Sequence, residues 1–133
     1  MSVKDMTDQQ LNKALAEFMG YTVVMRKSPN EGYVLLNESG RRNWYIPVCK
    51  DEQEAWEHVP DYCNDPIASL EVQVAAIRVN AKKYFNHLER RLHPGLEELP
   101  ESETWSAFQV AELVRAKPRQ RAEAAYMTLS SQD

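Results

Sequence analysis

Three segments rich in β-branched and aromatic residues, Tyr21–Lys27, Tyr33–Asn37 and Asn43–Cys49, follow one another with only turn residues between them. These are Ser28-Pro29-Asn30-Glu31-Gly32 and then Ser39-Gly40. Connections this short constrain the fold more than any other feature of the chain. A parallel pair needs a crossover of roughly a dozen or more residues, so strands joined so closely pair as antiparallel neighbours. Proline, asparagine and glycine supply the turn geometry. The spacing predicts a three-stranded meander.

Helices flank it. Thr7 and Gln10 have the spacing of a capping box, with Met6 and Leu11 at the two staple positions. Leu11, Leu15 and Phe18 then recur on one face, the helix ends near Met19, and Gly20 suits a left-handed C-cap. The acidic stretch Asp51–Pro60, with Trp56 and His58, fits either a short exposed helix or an irregular loop. Asp65-Pro66 restarts a helix, since Asp is a good N-cap and Pro fits the first helical position. Ile67, Leu70, Val74 and Ile77 form its expected buried stripe. Asn80 suits the cap of a further helix carrying Tyr84, Phe85, Leu88 and Leu92, stopped by His93-Pro94-Gly95. The sequence leaves open whether Val79-Asn80 breaks the helix or is read through. Leu96–Thr104 reads as an acidic surface loop. Trp105–Val114 fits two periods: Phe108 and Val110 alternate, whereas Ala107, Val110, Ala111 and Val114 have helical spacing. Pro118 opens a last helix with Ala122, Ala125, Tyr126 and Leu129 inward. The expected core is Leu11, Phe18, Val23, Leu35, Ile46, Leu70, Val74, Leu88 and Tyr126. Each large apolar side chain buried contributes ~1.5–3 kcal/mol.

The 133 residues, 43% hydrophobic and 27% charged, suit one domain spanning 1–133. A net charge of −4 excludes a general nucleic-acid-binding coat. No apolar run approaches the ~20 residues that span a bilayer, and Met1–Gln10 is too polar for a secretory signal, so a cytoplasmic protein is expected. Cys49 and Cys63 are too few for a disulfide framework and read as reduced thiols. With His58 they invite a zinc reading, but a structural site needs four ligands, and two half-buried thiols with a surface imidazole explain them more simply. A Cys-His nucleophile is left undetermined, because nothing in the sequence places the two groups together. His87 and His93 read as solvated side chains of a charged helix. Asp61 and Asp65 have the chemistry of an acid/base or metal pair, yet Asp65 already has a capping role. No phosphate-cradling glycine loop, nucleophile elbow or H-E-x-x-H is present. The sequence therefore points to a binding protein rather than an enzyme, with no cofactor or metal implied.

One feature runs against local preference. Arg115-Ala116-Lys117-Pro118-Arg119-Gln120-Arg121 gathers four cations at the entrance to the last helix. The positive end of the helix dipole favours acidic side chains there. Free backbone donors, the dipole and guanidinium forks are together the elements of a phosphate or carboxylate site. The competing reading has these side chains fan into solvent or pair with the acidic stretches Asp51–Glu57 and Glu97–Glu103. A nucleotide also needs a flat surface. Trp44, Tyr45, Trp56, Tyr62 and Trp105 lie near predicted strand ends and loops, and Trp44, preceded by Arg41 and Arg42, is the best placed. The candidate ligand-binding residues are thus Arg115, Lys117, Arg119 and Arg121 for the anion, with Arg42 and Trp44 beside a base.

Pro60-Asp61-Tyr62-Cys63-Asn64-Asp65 before one helix, and Arg119-Gln120-Arg121-Ala122-Glu123-Ala124 opening another, resemble two landmarks of small phage and prophage proteins. These landmarks are P-D-Y-x-N-D-[LP] and [ST]-x-x-Q-R-A-E-A, and Met19-Gly20-Tyr21 resembles the A-E-x-x-G-[WY] that ends their first helix. The proteins are related to the phage α/β/α-sandwich domain family, and the resemblance runs from about Leu11 to Leu129. It implies an α+β fold in which an antiparallel sheet of about four strands packs with three to four helices. It also implies a strand leading into the last helix, which assigns Phe108–Val114 to a strand. Lys117 departs from the family's Ser or Thr N-cap. The functional implication is a phage-encoded accessory protein of host takeover or anti-defence, acting in the bacterial cytoplasm. By analogy of size and source alone, it would sequester a small phosphorylated or cyclic-nucleotide ligand. The alternative is a protein–protein inhibitor of a host defence or replication factor. Exposed sheet edges would also allow a homo-oligomer.

Overall fold

The computed structural model describes residues 2–93 and 107–131. The expected acidic loop 96–104 and Trp105 lie outside the described residues.

Helix α1 (Asp8–Phe18) starts as its sequence dictates: the Thr7 hydroxyl accepts from Gln10 N–H at 3.1 Å, and the Gln10 side-chain oxygen accepts from Thr7 N–H at 2.9 Å. It buries Leu11, Leu15 and Ala16. Gly20, at φ 98°, turns the chain into strand β1. Strands β1 (Thr22–Met25) and β2 (Tyr33–Leu36) pair antiparallel, with Val23 opposite Leu35 and Met25 opposite Tyr33.

The third expected strand does not form. Its two ends are held by single bridges, Leu36 to Arg42 and Tyr33 to Cys49, while the chain between them turns outward. Asn43 causes this: its side-chain oxygen accepts from Tyr45 N–H and its carbonyl from Ile46 N–H, both at 3.0 Å, and Pro47 has no donor for a ladder. The expected strand Phe108–Val114 is instead helix α4 (Ala107–Arg115), its helical spacing prevailing over the alternation. Among the described residues the fold is therefore α+β and mostly helical, with five α-helices rather than three to four and one two-stranded sheet rather than about four strands.

Asp51 caps the short helix α2 (Glu52–Trp56), which packs against both strands of the hairpin. Helix α3 (Pro66–Leu92) starts at Asp65, whose carboxylate accepts from Ile67 N–H at 2.9 Å. It is interrupted at Asn80 (φ −161°, ψ 94°), whose side-chain oxygen accepts from Lys83 N–H at 3.1 Å, so a second helix begins there. Helix α5 (Pro118–Ser130) packs most extensively against α3, and also against α1.

The side of α3 that faces inward differs from the expected one. Ala68, Ser69, Val72 and Ala76 are buried, whereas Ile67, Leu70 and Val74 are 73%, 43% and 44% exposed. Helix α5 buries Ala122, Ala124, Ala125 and Thr128. Small side chains on both helices permit a close approach, and the larger residues of α3 turn to the outside. Phe18, also expected in the core, is exposed and meets Tyr126 edge-on, with ring centroids 6.3 Å apart. Leu11, Leu35 and Leu88 are buried as expected, and Val23, Ile46 and Tyr126 are partly so. His87, expected in solvent, is partly buried, and its Nδ1 has no hydrogen-bond partner among the described residues.

Two fully buried tyrosines differ in one respect. Tyr84 donates its hydroxyl to Gln73 Oε1 at 2.7 Å, whereas the Tyr62 hydroxyl has no partner among the described residues. Tyr84→Phe is expected to lose ~0.5–1.5 kcal/mol, because it leaves a polar group of Gln73 unpaired. Tyr62→Phe is expected to leave stability unchanged or to raise it slightly, since the hydroxyl is desolvated without return. Urea unfolding of both variants checks the difference in sign.

Candidate functional site

The first turn of α5 places Arg119 against the start of the chain. Its Nε donates to Glu123 Oε2 at 2.8 Å, and its Nη1 donates to Asp8 Oδ1 at 2.8 Å and to Cys63 Sγ at 3.8 Å. Its Nη2 donates to the carbonyls of Val3 and Met6, at 3.1 and 2.8 Å. All of its donor capacity is used within the chain. Asp8 also accepts from Asn64 Nδ2 at 3.0 Å, and Asp61 accepts from Asn64 and from Asn12. The 60–65 segment and the start of α5, far apart in sequence, thus meet at the first turn of α1.

The same network sets the local ionisation. Hydrogen bonds from Asn64, and from Arg119, hold the Asp8 carboxyl below its ordinary range against a smaller effect of burial. Burial, then the Asp8 charge, push the Cys63 thiol up to about 12, which removes thiolate character near neutral pH. Burial opposes the charge of Arg119 more than any one neighbour favours it, but the hydrogen bonds and charges of Glu123 and Cys63 together outweigh burial and hold the guanidinium above its ordinary value.

Arg121 is only 7% exposed and donates to Ser69 Oγ at 3.3 Å and to the Val114 carbonyl at 3.2 Å, so it ties α5 to α3 and to the end of α4. Arg115 and Lys117 remain in solvent. Lys117 gives no side-chain cap, and its backbone N–H instead donates to Gln120 Oε1 at 2.8 Å. Two of the four cations at this helix start therefore have internal partners: Arg119 pairs with Asp8 and Glu123 rather than with the acidic stretches suggested by the sequence, and Arg121 bonds the neutral Ser69 hydroxyl and Val114 carbonyl.

Arg42 and Trp44 have different neighbours. The Arg42 guanidinium lies 4.3 Å from the centroid of the Trp44 ring, a cation–π stack, while Trp44 is 80% and Tyr45 97% exposed. Beneath this loop is a cleft of about 230 Å³. Leu35, Ile46, Pro60 and Tyr21 give it apolar walls, and its polar lining is Arg41, His58, Asn37 and Asn43. Asn37 Oδ1 accepts from Ser39 N–H and Arg41 N–H at 2.9 and 3.0 Å, and Asn43 Oδ1 from Tyr45 N–H. Both amide oxygens already accept backbone hydrogen bonds, two at Asn37 and one at Asn43, and each side chain also carries an –NH₂ donor. Among the described residues no carboxylate lines the cleft. The larger groove between α1 and α2 carries Asp51, Glu52 and Glu57, with Lys13 over the Trp56 ring at 5.5 Å.

Sequence reading reached Arg42 and Trp44 but not the cluster around Arg41. His58 and the two asparagines join it only through the hairpin and the turn that follows α2. Cys49, His58 and Cys63 do not converge: Cys49 donates to the Pro47 carbonyl at 3.4 Å, Cys63 lies beside Asp8, and His58 lines the cleft. No group of three or more His, Cys, Asp or Glu is placed to hold a metal ion among the described residues.

Comparison with protein-family models, with curated proteins and with solved structures gave no match. The likeness to phage proteins is carried by the quoted segments alone.

Proposed function

We propose that this chain is a binding protein for a small anion of nucleotide character, taken up in the cleft under the Arg41–Ile46 loop. The observation that carries this reading is the donor-rich, carboxylate-free lining of Arg41, His58, Asn37 and Asn43, in a chain with twenty acidic residues. A hydrophobic cleft with a few convergent polar groups is the usual form of a small-ligand site. Arg41 supplies a fork for phosphate or carboxylate. The face of Trp44 away from Arg42 offers a base a stacking surface, which contributes ~1–3 kcal/mol per base in comparable platforms. The resemblance to phage proteins supports a signalling nucleotide of the bacterial host as ligand and the host cytoplasm as location. Among the described residues no helix is long and apolar enough to cross a membrane.

Calorimetric titration with mononucleotides, cyclic nucleotides and inorganic phosphate tests the proposal. Arg41→Ala is expected to weaken binding by about 10- to 100-fold, the loss of a charge-assisted hydrogen bond. Trp44→Ala is expected to weaken nucleotides but not inorganic phosphate, and Lys117→Ala to change neither. The absence of binding by every member of the panel overturns the reading.

A second reading rests on Tyr45, which is almost fully exposed next to Trp44 and is not part of the lining of this cleft. Adjacent Trp, Tyr and Arg side chains are the usual anchors of protein interfaces. A host protein lost from the complex by Tyr45→Ala and retained by Arg41→Ala favours this inhibitor role.

A further inference from the structure

The outer edge of the hairpin is open. Arg26 N–H donates to the Gly32 carbonyl at 2.9 Å, and Val24 and Thr22 stand opposite Val34 and Leu36, so every second residue from Thr22 to Arg26 turns its backbone groups toward β2. Tyr33 gives the same phase. It stands opposite Met25 but exchanges both of its backbone bonds with Cys49, on the far side of β2. Val23 and Met25 therefore direct their N–H and carbonyl groups outward, and these have no partner among the described residues. Thr22, Val24 and Met25 are exposed along this edge. Arg26 and Lys27, which follow, are exposed too and have no ion pair among the described residues; the depression they line holds one acidic side chain, Glu31.

We infer that β1 receives an extended acidic segment of a protein partner as an added antiparallel strand, bonded at Val23 and Met25 and with carboxylates opposite Arg26 and Lys27. Donors and acceptors that alternate at strand spacing are matched by another extended backbone. A helix has spent its backbone groups internally, and a phosphate chain has acceptors alone. Charge then selects among strands. A second copy of β1 paired about Val24 would set Arg26 against Thr22 and Lys27 against Tyr21, and Tyr21–Lys27 holds no acidic residue to meet either cation. A segment that carries carboxylates meets both. Thr22–Lys27 contributes no side chain to the lining of the ligand cleft, so the inference does not rest on that site.

Nuclear magnetic resonance of the full chain, with amide exchange read residue by residue, tests it. In the free protein the Val23 and Met25 amides are expected to exchange at least about tenfold faster than those of Val24 and Arg26. The probe is a peptide of about eight residues in which two N-terminal glutamates precede alternating valine and threonine. It is expected to protect Val23 and Met25 selectively. Replacing its glutamates by lysines, or moving them to its C-terminal end, is expected to weaken binding by about tenfold. Met25→Pro removes an outward N–H that the hairpin does not use, and is expected to weaken binding as much. R26E/K27E leaves that backbone unchanged and is expected to make the lysine peptide the better ligand. Protection of Val23 and Met25 in the free protein overturns the proposal, because the edge is then already covered, by a second copy if sedimentation shows a dimer. A glutamate peptide that gives no protection, or that binds no better than the lysine peptide, overturns it equally.

Discussion

Replacing Arg119 by alanine is expected to lower the thermal midpoint of unfolding by about 10 °C, corresponding to ~2–4 kcal/mol for a chain of this size. The side chain holds two backbone carbonyls, the carboxylates of Asp8 and Glu123, and the thiol of Cys63. Truncation leaves Glu123, whose side chain is 13% exposed, without its closest partner. Removing one member of a largely buried ion pair costs more than the pair contributes while intact. Arg119→Lys keeps the charge but cannot reproduce the fork, so it should recover only part of the loss. The sign of the pH effect follows from Asp8. Its pKa is lower folded than unfolded, so its contribution is present above the unfolded value of about 4 and is lost as the pH falls through the folded value. The Asp8 side chain is 51% exposed, so solvent screening keeps this part small. Urea midpoints at pH 6 and pH 3 should therefore converge slightly in Asp8→Asn. If Arg119→Ala leaves stability intact while abolishing nucleotide binding, Arg119 belongs to a ligand site after all.

Gly32→Ala is the second large effect, expected to cost ~2–4 kcal/mol and to disturb the candidate cleft from a distance. Gly32 has φ 93°, and a methyl group there would lie 2.5 Å from Val48 Cγ1 and 2.7 Å from the Cys49 carbonyl oxygen. That carbonyl accepts from Tyr33 N–H at 2.8 Å, and Cys49 N–H returns a bond of 2.9 Å. The bridge fastens the far end of the loop that carries Arg41 and Trp44. Gly40→Ala provides the control: φ is 73°, yet nothing lies within 4 Å of the added carbon. It should cost only the ~1–2 kcal/mol of a left-handed backbone. The difference between the two variants, read by thermal melting and by nucleotide affinity, isolates the close approach.

Local chemistry made much of this fold legible. Thr7 with Gln10, Gly20 and Asp65-Pro66 each announce a helix boundary, and the structure places a boundary at each; at Asn80, where the sequence leaves a break or a read-through open, the structure has the break. These are short-range rules, in which a side chain bonds a backbone group two or three residues away or, at Gly20, a glycine takes a left-handed backbone conformation. The β1–β2 hairpin was legible for the same reason. The expectations that failed depended on distant partners. Leu70 and Val74 have core spacing, but α5 presents alanines, and only the facing helix decides which side of an amphipathic segment is covered. The strand expected at Asn43–Cys49 lost to an asparagine turn and Pro47, both of which were visible in the sequence. At the start of α5, the four-residue spacing of Arg119 and Glu123 was a readable sign of an internal pair. The carbonyls of Val3 and Met6 were not, being more than a hundred positions away.

The interruption at Asn80 has a mechanical consequence. An unbroken helix of 27 residues would be a stiff rod about 40 Å long, and displacement at one end would be felt at the other. With extended backbone at its centre, α3 has a joint, so the half that carries Ile67, Leu70 and Val74 and the half that seats Tyr84 and Leu88 in the core are two helices with separate directions rather than one rod.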